Sequence, residues 1–231
     1  YVMRYFSQTP INPDNLPYDV RIRPVLQESD AKAIAEIPGI EYSVMWIQIF
    51  ARIESRGSRT QTLIVWAADD HYMDIQGGTL LRGRFFTQSE LTGEQVIVLE
   101  EEPADHLFGR LDAMGQLVRV NGVPFRVIGI YQKPQNIFEP PGQQNGAIVP
   151  YRSAKYNLRY DETNGLFISV KGRPEVDVKR AQDLVTVALR RERKLRPGVP
   201  NTFDILTQDQ ILDTISSLTS AFFGVMVALS G

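Results

Sequence analysis

The run from Tyr42 to Asp69 constrains the fold more than any other part of the chain. In "YSVMWIQIFARIESRG" the residues Ile47, Ile49, Ala51 and Ile53 occupy alternate positions, the period of a strand with one buried face. "SRTQTLIVWAAD" follows across Gly57-Ser58, a junction that predicts a turn and a strand pair. The flanking pattern extends this into a β-α-β-β unit. Upstream, "DVRIRPVLQ" (19–27) alternates Val20 and Ile22 with Arg21 and Arg23, which predicts a strand. "ESDAKAIAEIPGI" then predicts a helix capped by Ser29 or Asp30. Its apolar side is Ala31, Ile34, Ala35 and Ile37, and Pro38-Gly39 stops it.

The middle of the chain changes character. "GGTLLRGRFFTQSE" reads as a glycine-punctuated loop and "EQVIVLEE" as a short buried strand. "EPADHLFG" reads as a helix with Pro103 in its first turn and Gly109 as its stop. "GQLVRVNGVPFRVIGIYQ" predicts a hairpin turning at Asn121-Gly122. "KPQNIFEPPGQQNG" is a long loop, and "AIVPY" is one more strand. Beyond about residue 163 the first style returns: "NGLFISVKG" is a strand, "RPEVDVKRAQDLVTVALRRERK" an amphipathic helix, "TFDIL" a strand. On that helix Val178, Ala181, Leu184, Val185, Ala188 and Leu189 share one broad face. The layout is α+β: β-α-β-β and β-α-β halves of one domain, with a small β-rich α/β domain inserted between them.

Composition narrows function mainly by exclusion. A net charge of −2 over 231 residues supplies no basic footprint for nucleic acid. The absence of cysteine excludes a disulfide framework and thiolate chemistry, and leaves the compartment open. The start, "YVMRYFSQTP", lacks the apolar core of a signal peptide. His71 stands beside Asp69 and Asp70 in "DDHY", but metal sites need convergent ligands at recognisable spacing, and a turn after a strand fits better. Glu100, Glu101 and Glu102 read as acidic residues matched to a helix dipole, "RRERK" (190–194) as a solvated basic helix end, and His106 as an exposed helix residue. No nucleotide loop and no nucleophile-base-orienter set is visible. The residues therefore point to no catalytic, cofactor-binding or metal site.

The last 25 residues are unlike the rest. After Thr207, a suitable N-cap, apolar residues recur as Ile211, Ile215, Leu218, Phe222, Val225 and Leu229, at spacings of 4, 3, 4, 3 and 4. This is the rule for a seam against another helix. The first half keeps a polar side; the second, with Phe223, Met226 and Val227, does not. A helix apolar all round is buried in protein or in lipid, and the run is too short to span a bilayer, which takes about 20 residues.

Several stretches, in order, resemble one family. They are "GGTLLRGRFFTQSE", "VIVLEEEPADHLFG", "AMGQLVRVNGVPFRVIGI", "AIVPY" and "FDILTQDQILDTISSLTSAFFGVMVALSG". Gly83-Arg84-Phe85-Phe86, Leu107-Phe108-Gly109, Gly115-Gln116, Val118-Arg119-Val120 and Phe125 to Gly129 carry the likeness. Together they are similar to the extracytoplasmic domain of MacB-type ABC transporter permeases. Glu100-Glu101 and Ala67-Ala68-Asp69 depart from the family pattern.

The resemblance implies a porter-like part made of residues 19–82 and 163–206, and a Sabre-like insert of residues 83–162. Residues 1–18 would be the end of a first transmembrane helix and a linker, and 207–231 a stalk entering a second. Ile211, Ile215, Leu218 and Phe222 would form the stalk seam, and Phe223, Val225, Met226, Val227 and Leu229 the entry into the membrane. It further implies a bacterial inner-membrane protein with this domain outside the cytoplasm. The partners would be a second permease subunit, an ABC ATPase domain or subunit holding ATP and Mg, membrane lipid at both ends, and in some systems a periplasmic adaptor. Movement driven by ATP hydrolysis would export a substrate. The alternative is a membrane-tethered docking module without transport activity, for which Ile137 and Phe138 in the proline-rich loop would be the partner contact.

Overall fold

The computed structural model describes residues 1–6, 16–109, 111–134, 144–207, 209, 210 and 213. In chain order the elements begin with β1 (Val2–Met3), α1 (Tyr18–Arg21), α2 (Glu28–Ala35), β2 (Ile40–Ala51), β3 (Ile53–Ser55), β4 (Ser58–Arg59) and β5 (Leu63–Ala68). Next come α3 (Tyr72–Gln76), β6 (Thr79–Gly83), β7 (Val96–Glu100), α4 (Glu101–Phe108), β8 (Leu117–Val120) and β9 (Val123–Gln132). The chain continues through β10 (Asn145–Pro150), α5 (Tyr151–Asn157), β11 (Leu166–Gly172), α6 (Val178–Glu192) and β12 (Asp204–Ile205). The fold is α+β and dominated by sheet. Among the described residues, no helix is long and apolar enough to cross a membrane.

Two compact units divide the chain: Tyr1–Ser43 with Ile168–Gly231, and Val44–Phe167. In the second, the strand order is β2-β5-β10-β7-β9-β8-β3-β4, with β6 also on β9. β5 lies antiparallel to β2, with Ile49 opposite Val65, and parallel to β10. Residues 44–68 therefore share a sheet with residues 96–150, and the continuous unit is longer than the expected insert of 83–162. Val96, Ile97, Val98 and Leu99 are all buried, which is why β7 reads as an unbroken apolar run rather than an alternating one. Asn121 and Gly122, at φ 46° and 89°, make the tight turn between β8 and β9.

"GGTLLRGRFF" is not a loop: β6 pairs antiparallel with β9 through Thr79↔Gln132 and Gly83↔Gly129. Gly83 must be glycine there. Its φ is +73°, and a Cβ would stand 2.2 Å from the Ile128 carbonyl oxygen.

In the first unit α2 packs on α6. The strand expected over residues 19–27 is instead the single turn α1 and a coil. Val20 and Leu26 are buried, but Ile22 is 61% exposed, so the alternation does not mark a sheet face. The cap of α2 falls at Gln27, whose backbone N–H donates to the Asp30 carboxylate at 2.9 Å. Val2–Met3, expected near the end of a transmembrane helix, forms a strand against β12.

Candidate functional site

The β1–β12 pair brings together residues from opposite ends of the described chain. Val2 stands opposite Ile205 and Met3 opposite Asp204. The Tyr1 nitrogen donates to the Leu206 carbonyl at 2.8 Å, and the Leu206 N–H to the Tyr1 carbonyl at 2.9 Å. Two residues to a strand is a weak ladder by itself, since an isolated pair of strands is marginal in water. What fixes it is a set of arginines.

Arg4, 4% exposed, donates through Nε to the Arg23 carbonyl at 2.9 Å and through Nη2 to the Arg21 carbonyl at 2.7 Å. Arg23 returns a bond to the Arg4 carbonyl at 3.1 Å and reaches Asp204 Oδ2 at 3.0 Å. The same carboxylate oxygen accepts the Phe6 N–H at 2.7 Å. On the approach to β12, Arg193 makes a bidentate pair with Asp30 at 3.0 and 2.7 Å. Its Nη1 donates to the carbonyl and hydroxyl of Thr202, both at 3.0 Å, and its guanidinium lies 5.6 Å from the Phe203 ring. The Arg193 and Asp30 side chains are 8% and 4% exposed. Two charge-assisted networks, of which the Arg193–Asp30 one is desolvated, thus tie residues 202–206 to the ends of α1, α2 and α6.

This corrects the expectation for "RRERK". Arg193 is buried, and Arg190 folds back onto the Val199 and Arg196 carbonyls and Asn201 Oδ1, at 2.8, 2.8 and 2.7 Å. Past the clamp, Thr207 caps the next helix reciprocally. Its hydroxyl accepts the Gln210 N–H at 3.1 Å, and Gln210 Oε1 accepts the Thr207 N–H at 3.0 Å. What the arrangement can do is hold two distant segments of the chain together.

The other clusters are internally satisfied. Asp69, Asp70 and His71 converge at the turn before α3. His71 Nδ1 lies 2.7 Å from Asp69 and 3.3 Å from Asp70. Trp46 donates to the second oxygen of Asp69 at 3.2 Å, and Gln88 to that of Asp70. Both carboxylates are thus already engaged in a hydrogen-bonded turn. Glu101 and Glu102 sit in the first turn of α4, as a helix dipole favours, whereas Glu100 is buried 3.6 Å from Lys133 Nζ. His106 is exposed, with a ring nitrogen 3.1 Å from the Arg59 carbonyl. The expected seam residues Ile211, Ile215, Leu218 and Phe222 lie outside the described residues. So do the membrane-entry residues Phe223, Val225, Met226, Val227 and Leu229, and the loop residues Ile137 and Phe138. Sequence reasoning missed the pairing of Asp30 with Arg193 and of Asp204 with Arg23. The partners are up to 181 residues apart, and no local pattern marks them.

Comparison with known proteins accounts for this architecture. The model of the MacB-like periplasmic core domain matches residues 2–188. The macrolide export ATP-binding/permease protein MacB 1/2 of Paracoccus denitrificans is 29% identical over 89% of this chain and 30% of its own length. An uncharacterized ABC transporter permease, YknZ of Bacillus subtilis, is 20% identical over 88% of this chain and 49% of its own. The chain therefore spans about a third to a half of these relatives. Among solved structures, the periplasmic region of MacB from Actinobacillus actinomycetemcomitans superposes with a TM-score of 0.67 at 23% identity, covering 83% of each chain. The extracellular domain of YknZ gives 0.63 at 17% identity, covering 79% of this chain and 90% of that one. The α+β fold is that of these domains, and the family match extends over most of the sequence: the chain belongs to the MacB-like periplasmic core domain family.

Proposed function

We propose that this domain is the extracytoplasmic part of an ABC transporter permease subunit, and that it passes movement driven by cytoplasmic ATP hydrolysis to the export of a substrate. The observation that carries this is the clamped β1–β12 junction. A domain moved from below would receive force through segments such as these, and the strand pair and two arginine networks tie them together. ATP and Mg belong on an ATPase domain or subunit outside this chain. The permease works as a dimer in the bacterial inner membrane, with this domain on the periplasmic side, where a periplasmic adaptor is a further partner. The apolar stripe Ile211, Ile215, Leu218 and Phe222 carries the shift along the stalk, because packed helices move in discrete steps rather than bending. Phe223, Val225, Met226, Val227 and Leu229 lead into the lipid.

The test uses the full-length gene product, reconstituted with its encoded ATPase. Vanadate-sensitive hydrolysis and export are measured with and without residues 2–205. Export that depends on the domain supports the reading. Export unchanged by its deletion overturns it and leaves a docking module, with Ile137 and Phe138 as the first contact to probe. Leu218→Asp is expected to leave ATP hydrolysis in place while export falls by at least tenfold; equal export in variant and parent removes the seam from the mechanism.

A further inference from the structure

The helix that Thr207 caps has a readable orientation. At about 100° per residue, the exposed Asp209, Gln210 and Asp213 fall within one arc of roughly 100°. The same register puts Ile211 and Ile215, which lie outside the described residues, on the opposite side. Beside the cap is an apolar groove of about 290 Å³, with Thr207 and Asp209 on its rim. Val2, Leu206, Ala181 and Val185 wall it, as does Val178, which is 62% exposed although it lies on the apolar stripe of α6. Leu206 directly precedes the cap, and Ile211 is the fourth residue after it. These are the two positions that pack together in a hydrophobic staple, the contact that accompanies a reciprocal cap of this kind. The chain thus passes along the groove at Thr207 and Asp209, with the polar Asp209, Gln210 and Asp213 toward water.

We propose that this groove is the seat of the chain's own departing helix: Ile211 and Ile215 dock on Leu206, Ala181 and Val185, and the seam toward another helix begins only at Leu218. The first two apolar residues of the stripe thereby have a different partner from the rest. A shift of the helix is felt by α6 directly, and through Arg193 by Asp30 and Thr202. The docking holds whether or not the protein exports anything, so its test does not depend on the transport reading.

The experiment is thiol crosslinking of the full-length protein in native membranes, with any cysteines elsewhere replaced; this chain has none. Ile211→Cys is combined separately with Ala181→Cys, with Val178→Cys, and with Val187→Cys, a position 67% exposed off the groove. A short bifunctional thiol reagent is expected to link Ile211→Cys to Ala181→Cys or Val178→Cys within one chain, and not to Val187→Cys. Links formed between two chains would mean that a second copy fills the groove, and would overturn the proposal. So would failure of both groove positions to link, or linkage to Val187→Cys as efficient as to Ala181→Cys.

Discussion

Arg193 shows how a residue's role escapes its local sequence. It sits in "RRERK", where five charges in a row describe a solvated helix end, yet its guanidinium is almost wholly buried against Asp30 and Thr202. Nothing near it in sequence announces the partner 163 residues away. Removing one member of a buried pair leaves the other charged and unpaired, so Asp30→Ala is expected to cost about 3–5 kcal/mol, read as a lowered urea midpoint. Glu90, by contrast, is held by residues three and six positions before it. It is buried, and a bidentate bond from Arg84, assisted by the Thr87 N–H and hydroxyl, holds its carboxyl down to about 2. Because the folded value lies below the ordinary 4.5, its stabilisation is complete above that pH and is lost as pH falls toward about 2. With Arg84 half exposed to solvent, the loss is on the order of 2 kcal/mol. Glu90→Gln should be less stable at pH 7 and should flatten this part of the acid profile; an unchanged profile would show that other carboxylates carry it.

At the scale of elements, legibility followed the locality of the cause. The Asn121-Gly122 hairpin, the Gly109 stop of α4 and the Thr207 cap all depend on residues within a few positions, and each is where the sequence placed it. β7 was readable because burial on both faces leaves only apolar residues. Residues 19–27 were not. Val20 and Ile22 alternate like a strand, but the segment's shape comes from Arg4, which binds the Arg21 and Arg23 carbonyls from outside it. β6 was missed because it is mostly exposed and ends in a glycine, so no apolar period marks it and Thr79 is its one β-branched residue. Its dependence on β9 gives a sharp expectation. Gly83→Ala forces a left-handed residue and drives a methyl into the Ile128 carbonyl, and should cost at least about 2 kcal/mol. Hydrogen exchange should locate the loss at β6 and the second half of β9. A variant as stable as the parent would mean that this strand pair yields at little cost.

For the whole molecule, neither the residue pattern nor the likeness to a family pointed to the β1–β12 junction: the likeness implied the end of a transmembrane helix and a linker over residues 1–18, where Val2 and Met3 form a strand. The ion pair and hydrogen bonds at the junction join sequence-distant groups, and the heptad stripe that follows was visible without a partner. Asp204→Ala removes the acceptor shared by Arg23 and the Phe6 N–H. It should therefore lower export per ATP hydrolysed more than it lowers hydrolysis, as measured in proteoliposomes of the full-length protein. A proportional fall in both would mean that the junction supports folding alone. The junction has one further consequence. Tyr1 and Leu206 are hydrogen-bonded neighbours although 205 positions separate them, so the whole domain is a detour that returns to its point of departure. Tyr1 and Leu206 stand no farther apart than paired residues of a hairpin. A segment put in place of residues 2–205 would need only to bridge the distance across a hairpin. Chimeras joined at these two positions are the natural place to ask which properties travel with it.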